Sequence, residues 1–182
     1  MEISTYHILL FTHLVSLIVG FGAVVVIDTC GLLWIFKKIS ISFITKVAKI
    51  TQPLIWMGWS GLVLSGIPLL ILKSSVSSIT TIKLFAVIML GLNGIYLHFI
   101  KKSLSKINHP EHFPKILSFR ITLATFVSQI CWWTAIIIGF LNNKFKANAP
   151  VIDEPFMYIK AFTITVLVVF LAGELIFRNK YK

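Results

Sequence analysis

Charge is what this sequence has least of: Asp, Glu, Lys and Arg together make up 13% of its 182 residues, about half the share usual in soluble domains. With 57% hydrophobic residues and a mean hydropathy of +0.92, that scarcity excludes an ordinary water-soluble domain and places the chain among membrane proteins. Cysteine is nearly absent as well. The two present, Cys30 and Cys131, fall inside apolar stretches, which excludes an extracellular disulfide framework and reads as small apolar packing. No Lys or Arg precedes Ile8, so the basic start of a cleaved signal peptide is missing and the first apolar stretch is expected to stay as a helix. No internal repeat, low-complexity tract or nucleotide-binding motif stands out.

What is present is apolar sequence in blocks. A helix crossing about 30 Å of hydrocarbon needs roughly 20 apolar residues, and five segments meet that length: about 8–36, 53–72, 82–100, 116–141 and 156–177. The predicted fold is therefore all-α, a single transmembrane domain over 1–182 built as a polytopic helix bundle. Pro53 suits the first turn of the second helix, where its missing N–H costs nothing. The preceding 42–51, with Lys46 and Lys49, reads as an interfacial turn of that helix.

The formal charge of +11 would suit nucleic acid if the basic residues shared one water-facing patch. They lie instead in short runs between apolar blocks, so no nucleic-acid partner is expected, and the partner implied is the lipid bilayer. Twelve Lys and Arg fall in the connections on one side and five on the other. Basic residues are retained in the cytoplasm, so the predicted topology has the N-terminus outside and the C-terminus cytoplasmic.

Helices in lipid associate through small residues and side-chain hydrogen bonds. Ser16, Gly20 and Ala23 supply such a row in helix one, and Gly58, Gly61, Ser65 and Gly66 in helix two. Ser118, Thr122, Thr125 and Gln129 make a polar stripe on helix four, expected to meet the other faces in the interior. Asn93 and Gln129 are at a depth where they would hydrogen-bond to each other.

An ionisable group inside a span costs at least ~2.5 kcal/mol at the helix centre and usually faces inward with a partner. Asp28, His98, Arg120 and Glu174 all fall toward the cytoplasmic side and form a predicted inner polar cluster. Arg120 is expected to pair with Asp28 or Glu174, the alternative being that Arg120 and Glu174 snorkel to the headgroups. His13 stands apart, on the same face of helix one as Ser16 and Gly20. As a helix-contact residue its ring would meet a hydroxyl, amide or carbonyl of a neighbouring helix. As a haem ligand it would face a cavity. His109, Glu111 and His112 read as solvated loop residues, and no metal site is expected.

The order of motifs resembles a family of small, uncharacterised bacterial multi-pass membrane proteins: His13, Gly20, Gly22 and Asp28; Trp56 with Ser65-Gly66; Lys83 with Asn93-Gly94; then Ser128, Trp133, Ala135 and Gly139. The match covers about 6–142 and implies a bacterial cytoplasmic (inner) membrane protein. At greater distance the plan is similar to the protoporphyrinogen oxidase J-type and copper-resistance D-type membrane proteins. The former has a haem-associated histidine in its first helix and a functional lysine at the start of its third, positions that His13 and Lys83 match. Three functional readings follow. One is a haem-linked redox protein using His13 and Lys83; another is an ion or small-solute permease gated by the inner polar cluster. The last is a non-catalytic subunit that pairs with a membrane partner or with its own copies.

Overall fold

The computed structural model describes residues 5–72, 76–104, 114–144 and 154–178. Over those residues the chain is all-α: α1 Thr5–Ile35, α2 Ile41–Leu72, α3 Ser78–Leu104, α4 Lys115–Lys144 and α5 Pro155–Arg178. All five are long and apolar enough to cross a membrane. On α5 alone Leu167, Val168, Leu171, Leu175 and Ile176 are each more than half exposed. Apolar faces that wide are costly in water and are the expected surface in lipid. The threonines that share such faces are satisfied within their own helices: Thr29 donates to the Val25 carbonyl at 2.7 Å, and Thr163 and Thr165 to those of Ile159 and Ala161 at 2.8 Å. These features are those of an integral membrane protein.

The chain divides into two compact units, Met1–Val76 and Ser77–Lys182. The first is a hairpin of α1 and α2. Its turn is short because both helix ends are capped. Lys37 has φ 58°, in the left-handed region, which lets its N–H reach the Trp34 carbonyl and the Lys38 N–H reach that of Leu33, both at 2.8 Å. That is a Schellman cap, with lysine where glycine is usual. Ser40 then caps α2, its hydroxyl accepting from the Phe43 N–H at 3.3 Å. The second helix therefore begins at Ile41 and takes in 42–51, the expected turn of the same helix; Pro53 does not stand in its first turn, and Pro53 and Pro68 both lie inside it. Each proline removes one backbone hydrogen bond, a loss that membrane helices tolerate where side chains and neighbours compensate.

The hairpin closes on small residues in antiparallel steps. A Cβ on Gly58 would run into the backbone of Gly20, and one on Gly61 into the side chain of Ser16. Gly20, Ala23 and Val24 are buried on α1, and Gly58, Leu62 and Ser65 on α2. The contact row is thus 13, 16 and 20 against 65, 61 and 58, the three- and four-residue steps of a helix face.

The second unit packs α3, α4 and α5. The buried apolar side chains are Ala86, Leu90 and Ile100 on α3 and Leu117, Ala124, Val127, Cys131, Trp132 and Ala135 on α4, with Trp132 only 1% exposed. The stripe of Ser118, Thr122, Thr125 and Gln129 is half-buried and flanks this row rather than forming it. Within that row Ala124, Cys131 and Ala135 are small enough to let a neighbouring backbone approach closely. The Asn93 side-chain amide donates to the Ala124 carbonyl at 2.8 Å. The expected amide pairing thus gives way to a backbone acceptor on the facing helix. Aromatic rings carry much of the α5 contact, Phe162 meeting Phe85, Phe170 meeting Tyr96, and Phe177 meeting Phe119.

Candidate functional site

In the second unit one end brings three polar side chains from three helices into one region. Arg120 lies five residues into α4 and Glu174 four residues before the end of α5. Gly173 makes room for their approach: the ring of Phe119 lies where a Cβ on Gly173 would stand, so a larger residue there would have to push that ring aside. One residue further along each helix, the Arg120 Nε–H donates to Glu174 Oε1 at 2.6 Å and Nη2–H to Oε2 at 2.8 Å. Both carboxylate oxygens meet one edge of the planar guanidinium, the bidentate geometry that makes arginine–carboxylate pairs strong and directional. The pair is not sealed. The Arg120 side chain is 38% exposed and that of Glu174 19%.

Tyr96 on α3 is the member of this site that sequence reasoning missed. Its hydroxyl is buried and has no hydrogen-bond partner among the described residues, yet it lies within electrostatic reach of both Arg120 and Glu174. A buried O–H left unmade costs about 1–3 kcal/mol, so such a group at an ion pair has a claim to attention that a lipid-facing tyrosine lacks. The available signal was spacing: Tyr96 lies one helical turn before Ile100, a buried position of α3.

The other predicted cluster residues are placed differently. His98 is exposed, its ring edge-on to Phe99 with centroids 6.2 Å apart. The reason is angular, since His98 follows Tyr96 by two positions and two residues on a helix point about 200° apart. Asp28 is half-buried on α1 and belongs to the first unit. His109, Glu111 and His112 lie outside the described residues.

His13 sits in the first unit with its Nδ1 at 2.9 Å from the Ser65 hydroxyl. The Ser65 hydroxyl itself donates to the Gly61 carbonyl at 2.5 Å. A hydroxyl has one proton. With that proton directed to Gly61, the bond to His13 runs from Nδ1–H to the Ser65 oxygen. Gly66 borders the ring, its Cβ position 3.4 Å from His13 Cε1. In the second unit Lys83 is half-buried, with its ammonium against α4 at Gly139, 3.7 Å from where a Cβ would stand. Among the described residues no group of three or more His, Cys, Asp or Glu side chains is arranged to hold a metal ion. No protein-family model, curated protein or solved structure matches this chain.

Proposed function

We propose that this chain is a bacterial inner-membrane permease for an ion or small solute, with the N-terminus outside and the C-terminus cytoplasmic. The Arg120–Glu174 pair is its inner gate. The observation that carries this reading is the bidentate pair itself, set inside two spans and still partly exposed. Apolar residues of similar volume often stabilise a protein as well as a buried ion pair does, and ionisable residues in spans tend to mark pathways. A pair that locks two helices and is only partly buried can break and re-form. The basic-residue asymmetry and the motif order support the location and orientation.

The test is flux through proteoliposomes loaded with potassium, proton and chloride reporters. Arg120→Gln and Glu174→Gln each break the pair and should raise flux of one species well above wild type, while the exchange Arg120→Glu with Glu174→Arg should bring it back. Flux equal to that of protein-free liposomes in every variant would refute the gate.

A second reading, haem-linked redox chemistry, is favoured by the His13 hydrogen-bond chain. Metal-ligating histidines commonly donate their other N–H to a fixed acceptor, and the Ser65 hydroxyl, itself bonded to the Gly61 carbonyl, is such an acceptor for the His13 Nδ1–H. A Soret band in the purified protein that His13→Ala abolishes would establish it, and a colourless protein would exclude it.

A further inference from the structure

The Arg120–Glu174 pair uses only one edge of the guanidinium. Arginine has five N–H groups, and the hydrogen bonds to Glu174 engage Nε and one Nη2 proton. Three N–H groups, those of Nη1 and the outer one of Nη2, have no protein partner among the described residues. Together Nη1 and Nη2 form a second fork, and the 38% exposure of the side chain leaves it open to approach. Such a fork matches two oxygens of a phosphate or similar tetrahedral oxyanion. Lys101 in the last turn of α3 and Lys115 in the first turn of α4 stand at the same end of this unit and raise the local potential toward anions. Among the described residues at this end, the opposing charge is Glu174, which holds the far edge of the guanidinium. An oxyanion at the open fork would repel that carboxylate, and the buried Tyr96 hydroxyl, without a partner in the present arrangement, can donate to it.

We propose that Arg120 binds a phosphate-class oxyanion through its open fork, and that Glu174 shifts from Arg120 toward the Tyr96 hydroxyl as the oxyanion arrives. The oxyanion is either a free phosphate or the phosphodiester of an anionic lipid headgroup, of the kind bound by basic pockets between membrane helices. The proposal concerns binding alone and holds whether or not the pair gates a path.

The experiment follows the thermal unfolding midpoint of the full chain in zwitterionic detergent, titrated with inorganic phosphate, with short-chain phosphatidylglycerol, or with short-chain phosphatidylcholine. The expected result is a saturable rise with one of the first two probes, which identifies the source, and a much smaller one with phosphatidylcholine. Arg120→Lys keeps the charge and loses the fork, and should weaken binding roughly tenfold. Tyr96→Phe should leave the midpoint without ligand unchanged or higher, because the hydroxyl it removes is unpaired, and should still weaken binding several-fold. A purely structural tyrosine would show the reverse. If Arg120→Lys does not fold, Tyr96→Phe decides the matter. Equal shifts with all three probes, no shift with either phosphate probe, or wild-type affinity in Tyr96→Phe would overturn the proposal.

Discussion

Replacing Gly58 by alanine sets two known effects against each other at one atom. Alanine is the better helix former, and the exchange by itself should stabilise α2 by about 0.5–1 kcal/mol. The added methyl, however, would stand on the Cα and N of Gly20 and 2.7 Å from the Ser16 carbonyl oxygen. All three are backbone atoms, so no side chain can rotate away and the two helices must separate. Overpacking of that kind costs about 1–3 kcal/mol, and separation also loosens the neighbouring contacts of His13 with Ser65 and of Ser16 with Gly61. The net expectation for Gly58→Ala is a destabilisation of about 1–2 kcal/mol once the propensity gain is subtracted. Gly22→Ala is the internal control, since a Cβ there meets nothing within 4 Å; it should be neutral or stabilising by up to about 1 kcal/mol. Gly61→Ala should fall between them, because a change of rotamer moves the Ser16 Oγ aside and leaves only the Ser16 Cβ, at 2.9 Å, in the way. The assay is equilibrium unfolding in mixed micelles at increasing fractions of denaturing detergent, followed by tryptophan fluorescence. Gly58→Ala as stable as Gly22→Ala would mean that the hairpin does not close on Gly20 and Gly58.

Removal of one partner of the ion pair should be asymmetric. Arg120→Gln takes the bidentate partner from the less exposed Glu174 (19% against 38%) and should cost about 2–3 kcal/mol, whereas Glu174→Gln leaves an arginine able to snorkel and should cost about 1 kcal/mol; additive effects in the double variant would show that the two side chains do not interact. His13→Ala and Ser65→Ala should destabilise the hairpin non-additively, by about 1 kcal/mol each, and a double-mutant cycle with no coupling would rule out their hydrogen bond. Reporters fused after Ser105 should read cytoplasmic and those placed within 148–153 extracytoplasmic, following the excess of basic residues on one side; reversed labelling would invert the topology.

The element count and type were legible in the sequence because apolar length alone sets them. Twenty or so residues without charge can satisfy their backbone in lipid only as a helix. The α1–α2 seam was legible for a similar reason, since small residues at three- and four-residue steps select the face on which two helices meet. The start of α2 was legible in outline, since 42–51 read as an interfacial turn of the same helix, but Pro53, which suits a first turn, lies well inside it. Tertiary structure alone decided the rest. Which acid Arg120 takes depends on which helix comes within reach, and Gly173 makes room for α5 beside the ring of Phe119, a contact between residues 54 positions apart. The half-buried place of the Ser118–Gln129 stripe, beside the buried row of Ala124, Cys131 and Ala135, was likewise decided there. The role of Tyr96 was invisible for the opposite reason. A tyrosine in a span reads as packing until its hydroxyl is found buried, unpaired and beside an ion pair built by two other helices.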